Sequence, residues 1–177
     1  MATTDQQATL DREFVEDFAH RYDEAWASRD PERVASMCTE DVVWNDPGLN
    51  EPLHGREGVR RFVTESLRMC PDFAVETLDG PFISPTRPRV LLPYRMSGTM
   101  TGPWVFQDMA PTGRRFEVEG VDSWEMRDGL IARYSTFWDT LSVSRQLGAL
   151  PPAGSGADRA LTRLQHVQAR FQRRSAG

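Results

Sequence analysis

Lysine is missing from the chain, so all 21 basic residues among its 177 are arginine. Schiff-base aldolase chemistry and a lysine-anchored pyridoxal both require an amine, and both are excluded. Cysteine is almost as scarce. Cys38 and Cys70 form neither a CxxC pair nor a dense framework, which predicts two free buried thiols rather than a disulfide. Nowhere do eighteen apolar residues run together, and Met1 to Glu13 is polar with no apolar segment. Neither a membrane span nor a signal peptide is read, and the cytoplasm is the expected location. His20, His54 and His166 lie far apart without an HExxH pattern, and Gly98 to Gly102 lacks the spacing of a phosphate loop. No metal, nucleotide or other cofactor is expected.

The formal charge of −5 is unevenly distributed. Residues 152–177 hold five Arg against one Asp, a net of +4, which leaves −9 on the rest of the chain. An acidic body argues against nucleic acid as a partner, because phosphates require a basic face.

What is present reads as helices first and strands afterwards. Leu10, Phe14, Phe18, Tyr22 and Trp26 recur at steps of four, which predicts an amphipathic helix. Asp30-Pro31 starts a second, short helix in N-cap and N1 fashion. Val42, Trp44 and Asp46 alternate with Val43 and Asn45 in a first strand that Pro47-Gly48 ends. A third helix follows Gly55, with Val59, Phe62, Val63 and Leu67 on one side and Pro71 as its stop. From residue 73 the period changes to two, giving strands near 73–79, 88–98, 115–126 and 130–139. That segregation predicts an α+β domain over residues 1–150, with a curved antiparallel sheet folded over the early helices. The glycines and prolines between 98 and 113 predict a long loop acting as a rim or lid. Beyond a Pro/Gly linker at 151–156, a basic helical tail carries Leu161, Leu164, Val167, Gln168 and Phe171 roughly on one face. Simple packing is its ordinary use.

Three polar residues stand on apolar faces. Counting by two from Phe116 puts Val118, Gly120, Asp122, Trp124 and Met126 on one side, and Asp122 is the charged member of that side. Desolvation should raise its pKa and leave it a hydrogen-bond donor. Arg127-Asp128-Gly129 predicts a type I turn with a glycine bulge, pairing Met126 with Leu130 and placing Leu130, Ala132, Tyr134, Thr136 and Trp138 on the same side. Asp46 shares its side with Val42 and Trp44, although an Asp before Pro47 also fits a turn starter. Tyr22 sits amid Phe14, Phe18 and Trp26, where a core tyrosine with a satisfied hydroxyl is the plainer reading.

Arg21-Tyr22, Asn45-Asp46-Pro47-Gly48, Glu51-Pro52, Gly55, Phe62, Asp122, Met126, Gly129 and Phe137-Trp138 together resemble ketosteroid isomerase within the nuclear transport factor 2-like superfamily, over about residues 14–150. Residues 96–103, 110–114 and 145–148 are similar to SnoaL-like polyketide cyclases. The resemblance implies a cystatin-like cone of three N-terminal helices in a curved mixed or antiparallel sheet around a central apolar pocket. It implies Asp46 as general base and Tyr22 and Asp122 as donors to an enolate oxygen. Phe18, Trp44, Tyr94, Met96, Trp124 and Trp138 are the substrate-binding residues it suggests. Cys38 and Val63 stand where the family's supporting tyrosines fall, which departs from the steroid enzymes. The implied activity is cofactor-independent isomerisation or cyclisation of a hydrophobic carbonyl compound, in secondary metabolism, by a homodimer joined through outer sheet faces. A non-catalytic ligand-binding cone and an epoxide-opening enzyme are the alternatives.

Overall fold

The computed structural model describes residues 10–175. Helix α1 spans Arg12–Ala27, capped by the Asp11 carboxylate, which accepts from the Phe14 N–H at 3.4 Å. Its buried residues are Val15, Phe18, Ala19, Tyr22 and Ala25, which share Phe18 and Tyr22 with the stripe the steps of four predicted, while Leu10, Phe14 and Trp26 are partly buried against the core's edge. Each step of four advances about 40° around a helix, so the two ends of that series rotate toward the margin of the core. Helix α2 (Pro31–Ser36) starts as read, with Asp30 accepting from the Glu32 N–H at 2.9 Å. Helix α3 (Gly55–Met69) buries Val59, Phe62, Val63 and, instead of Leu67, Ser66.

The sheet holds β1 (Cys38–Asn45), β2 (Leu53–His54), β3 (Ala74–Thr77), β4 (Phe82–Ile83), β5 (Arg89–Thr99), β6 (Arg115–Arg127) and β7 (Leu130–Trp138). Its order is β2-β1-β7-β6-β5-β3, with β4 also on β5. The β1–β7 pair is parallel and the others antiparallel, so the sheet is mixed, and it does not close. Helix α4 (Thr140–Leu147) and the two-residue strands β2 and β4 lie outside the sequence expectations. So short a strand leaves no period to read, and α4 directly follows a strand that the pattern carries on to 139. Helix α5 (Gly156–Ser175) occupies the basic tail. Cys38 and Cys70 are both buried and free. No helix among the described residues is long and apolar enough to cross a membrane.

The β6–β7 hairpin corrects one expectation. Asp128 and Gly129 both have positive φ, 52° and 75°, and form a two-residue turn that pairs Arg127 with Leu130 and Met126 with Ile131. Such a turn alone would put Arg133 in the core. A register shift beside Glu125 inserts one extra residue on β7, so that Glu125 pairs with Arg133 and Trp124 with Tyr134. That bulge restores the phase: Ile131, Tyr134 and Thr136 are buried and Arg133 is exposed.

The register stacks the concave face in rows. Met96 and Val118 form one; Tyr94, Gly120 and Trp138 the next; then Leu92, Asp122 and Thr136; then Val90, Trp124 and Tyr134. Successive rows are two residues apart along each strand, about 7 Å. The Tyr94–Gly120 pair shows why a glycine stands there. A Cβ on Gly120 would lie 2.6 Å from the Tyr94 hydroxyl oxygen, so the missing side chain is the space that the phenol fills.

The loop between β5 and β6 folds inward. Thr101 and Gly102 both donate backbone N–H groups to Met69 O at 2.9 Å, and Trp104 and Met109 bond each other's backbones. The Trp104 indole donates to Gly48 O at 2.7 Å. Gly102 is obligatory, since a Cβ there would meet Arg68 O at 2.2 Å.

Candidate active site

An apolar cavity of about 90 Å³ opens between the concave sheet face, α3, α4 and this loop. Four of the chain's seven methionines, Met69, Met96, Met100 and Met109, line it together with Phe62, Trp104 and Trp138. Among the described residues no arginine or histidine belongs to its lining, and Asp46 is its ionisable member.

Asp46 follows the last residue of β1, and its Oδ1 accepts the Gly48 N–H at 2.6 Å. It is therefore both things the sequence left open, a turn starter and a carboxylate on the cavity wall. Desolvation raises its pKa to about 6, while the Gly48 N–H and the nearby Trp138 indole oppose the rise. The Trp138 Nε1 is buried and has no hydrogen-bond partner of normal geometry. The serine hydroxyls and one amide hydrogen on the wall are committed. Ser66 donates to Phe62 O at 2.8 Å, Ser144 to Thr140 O at 2.7 Å, and Gln107 to Pro47 O at 3.3 Å.

Asp122 lies one row deeper than Trp138 and is 4% exposed. Its Oδ1 accepts the Tyr134 hydroxyl at 2.7 Å. Burial pushes its pKa to about 7, against the lowering effect of Tyr134, Thr136 and Trp124, and the charge of Asp46 adds to the rise. Thr136 in turn shares a 2.7 Å hydrogen bond with Tyr94. Tyr22 is buried with its ring 4.8 Å from that of Trp124, and its hydroxyl finds no partner. Burial, and then the charge of Asp122, holds that phenol well above its ordinary pKa.

Of the nine residues singled out from sequence, Asp46, Met96 and Trp138 line the cavity. Phe18, Tyr22, Trp44, Tyr94, Asp122 and Trp124 are buried core residues outside its lining, with Trp44 stacked on Tyr134 at 3.6 Å. Periodicity identified buried faces correctly but could not tell which end of a face stays unfilled. Met100, Met109 and Trp104 sit on a loop without period, and Val143, Ser144 and Leu147 on an unread helix, so only folding brings them to the site. No group of three or more His, Cys, Asp or Glu among the described residues could hold a metal.

A model of the SnoaL-like polyketide cyclase family matches residues 16–147. The chain belongs to that family. TsrD from Streptomyces laurentii is similar in structure, with 25% identity, 80% of this chain and 99% of that one covered, and a TM-score of 0.63. IdmH from Streptomyces antibioticus, a candidate polyketide cyclase, shares 27% identity over 75% of this chain and 97% of its own, with a TM-score of 0.58. At 16% identity, a protein of ketosteroid isomerase-like fold from Catenulispora acidiphila shows the fold alone, covering 76% of this chain and 97% of its own at a TM-score of 0.63. No curated protein matches the sequence. Within the family frame, the match ends at the last residue of α4 and leaves α5 outside.

Proposed function

We propose that this SnoaL-like protein is a cofactor-independent acid/base enzyme of secondary metabolism that removes a proton from the carbon beside a carbonyl in a hydrophobic substrate. The observation that carries the reading is a lone carboxylate, Asp46, with pKa raised to about 6, on a wall otherwise built from methionine and aromatic side chains. Such a base is ionised at neutral pH yet basic enough to take a proton from an activated carbon. Gly48 holds one of its oxygens, and the other receives the proton.

The electrons left behind collect on the carbonyl oxygen. A buried donor on the wall without a hydrogen-bond partner of normal geometry is the Trp138 N–H beside Asp46, which we assign to that oxygen once Asp46 has taken the proton. The enolate then either takes the proton back at another carbon, an isomerisation, or attacks a second carbonyl of the same molecule, an aldol closure. Family membership favours the closure. Asp122 and Tyr22 were expected to donate to the enolate, but they lie in the core outside the cavity lining. Their proposed part is indirect: Asp122, protonated below about pH 7, keeps a second negative charge away from Asp46.

No cation among the described residues lines the cavity, so the part of the substrate that enters carries no negative charge. About 90 Å³ holds several water molecules but no polycyclic ketone, so methionine side chains or the loop must yield to admit one. Solvent deuterium exchange into a panel of neutral hydrophobic β-dicarbonyl compounds, followed by mass spectrometry, tests the proposal. Enzyme-dependent exchange lost in Asp46→Asn is expected. Binding of those compounds without exchange would make the protein a ligand carrier instead.

A further inference from the structure

The loop between β5 and β6 has a root and a tip, and the two are held differently. The root is fixed. Met100 is buried, its carbonyl accepts the Gly113 N–H at 2.8 Å and its own N–H donates to Arg114 O at 2.9 Å, while Thr101 and Gly102 are bonded to α3 at Met69 O. The tip, residues 104–109, instead reaches across to residues 47–50. The Trp104 indole donates to Gly48 O at 2.7 Å, the Gln107 amide to Pro47 O at 3.3 Å, and Asn50 Nδ2 to Phe106 O at 2.7 Å. All three hydrogen bonds therefore land on the turn that begins at Asp46.

That turn sets the carboxylate. The Leu49 N–H donates to Asp46 O at 3.0 Å and the Gly48 N–H to Asp46 Oδ1 at 2.6 Å, so the position of Gly48 decides where one carboxylate oxygen is held. Gly48 is buried, and a Cβ on it would stand 3.0 Å from Asp46 Oδ1 and 3.4 Å from Trp104 Cζ2. The glycine thus lies between the indole and the carboxylate, bonded to both. Because the contact on each side is so close, a shift of Trp104 is passed to Asp46 through a single residue.

We infer that Trp104 is a positioning residue for Asp46, acting through Gly48, and that the tip of this loop is a lid whose closure aligns the base. The inference rests on Asp46 being the base of the proposed reaction. Admitting a large ketone to a cavity of about 90 Å³ lifts the tip, which takes the indole off Gly48 and frees the turn. Settling of the tip over the substrate restores the turn, so proton abstraction takes place with the lid shut and water excluded. The flanks of the tip suit this motion. Gly102-Pro103 lies on one side and Gly113 on the other, and Gly113, at φ 68°, has nothing within 4 Å of the position a Cβ would take. Outside, the Arg61 guanidinium covers the Phe106 ring at 4.9 Å, a surface contact that separates at small cost.

Proton NMR of the Gly48 amide in the ligand-free protein tests the link without any substrate. In the wild type its shift should follow the ionisation of Asp46 near pH 6, and its exchange with solvent should be slow. Trp104→Phe removes the indole N–H but keeps an aromatic ring against Phe62 and Phe106. It should at least halve the titrating shift and speed exchange of the Gly48 amide by about tenfold or more. Asn50→Ala, at an exposed position outside the cavity lining, loosens the tip from the opposite side and should give a smaller change in the same sense. In deuterium incorporation, both variants should lower kcat more than they raise KM, Trp104→Phe by about tenfold. A Gly48 amide unchanged in both variants overturns the inference. So does faster exchange spread equally over the amides of β6 and β7, which would mean that Trp104 only stabilises the fold. Activity retained in Asp46→Asn would instead sink the base assignment, and the Gly48 response, read without substrate, keeps the two failures apart.

Discussion

Asp46 and Asp122 are two carboxylates on one concave face, and their surroundings separate their chemistry. Asp46 ends β1 at the cavity, one oxygen on a backbone N–H and no side-chain hydroxyl bound to it. Asp122 lies mid-strand in the packed end of the cone, bound to the Tyr134 hydroxyl. Both rise by desolvation, Asp46 to about 6 and Asp122 to about 7. Between those values the cavity carboxylate is ionised and the deep one holds its proton. Where the pKa values of two acids are driven apart, the lower serves as base and the higher keeps its proton; desolvation is the largest cause at both, and the charge of Asp46 raises Asp122 further.

The comparison breaks most severely at the base. Asp46→Asn should lower the rate of proton exchange by about 10²- to 10⁴-fold while leaving the melting temperature nearly unchanged, measured by deuterium incorporation and calorimetry on the same samples. The equivalent change at the deep site should act the other way round. Asp122→Ala strands the Tyr134 hydroxyl and opens a void, at a cost of about 3 kcal/mol in urea unfolding, whereas Asp122→Asn keeps an acceptor and should cost far less.

The contrast between these sites is also a contrast in what a sequence can reveal. The alternation along β6 places Asp122 among Val118, Trp124 and Met126, and those residues are buried together. Asp30-Pro31, the Gly55 entry into α3 and the order of long strands are equally plain, because each depends on a local cap, turn or period. The hairpin register is not. A two-residue turn compensated by a bulge gives nearly the same burial pattern as the single bulged turn expected from Arg127-Asp128-Gly129. The cavity is less legible still. Its location depends on where Tyr94 fills the space above Gly120 and where the Trp104 loop comes down, and both are contacts between distant segments.

A pH series sharpens the comparison through stability. An ordinary aspartate titrates near 3.8, so between about 4 and 7 the folded chain keeps protons that the unfolded chain has released. Protons held only by the fold mean that stability falls as pH rises through this window; below it and above it these two groups contribute no slope. Asp122 alone contributes a fall of about 4 kcal/mol across the window, which Asp122→Asn should remove. The smallest effect is expected at Trp138. Replacing it by Phe withdraws the indole N–H that favours the Asp46 carboxylate, so the acid limb of the exchange rate should move to higher pH, with about a tenfold loss in rate at its maximum.

Carbon-13 NMR of the aspartate carboxyls, with Asp46→Asn and Asp122→Asn samples to assign the signals, tests the ordering of the two acids directly. Two carboxyls titrating near 6 and 7, the lower one vanishing in Asp46→Asn, is the predicted result. Both signals moving near 3.8, or the lower one belonging to Asp122, would contradict the account.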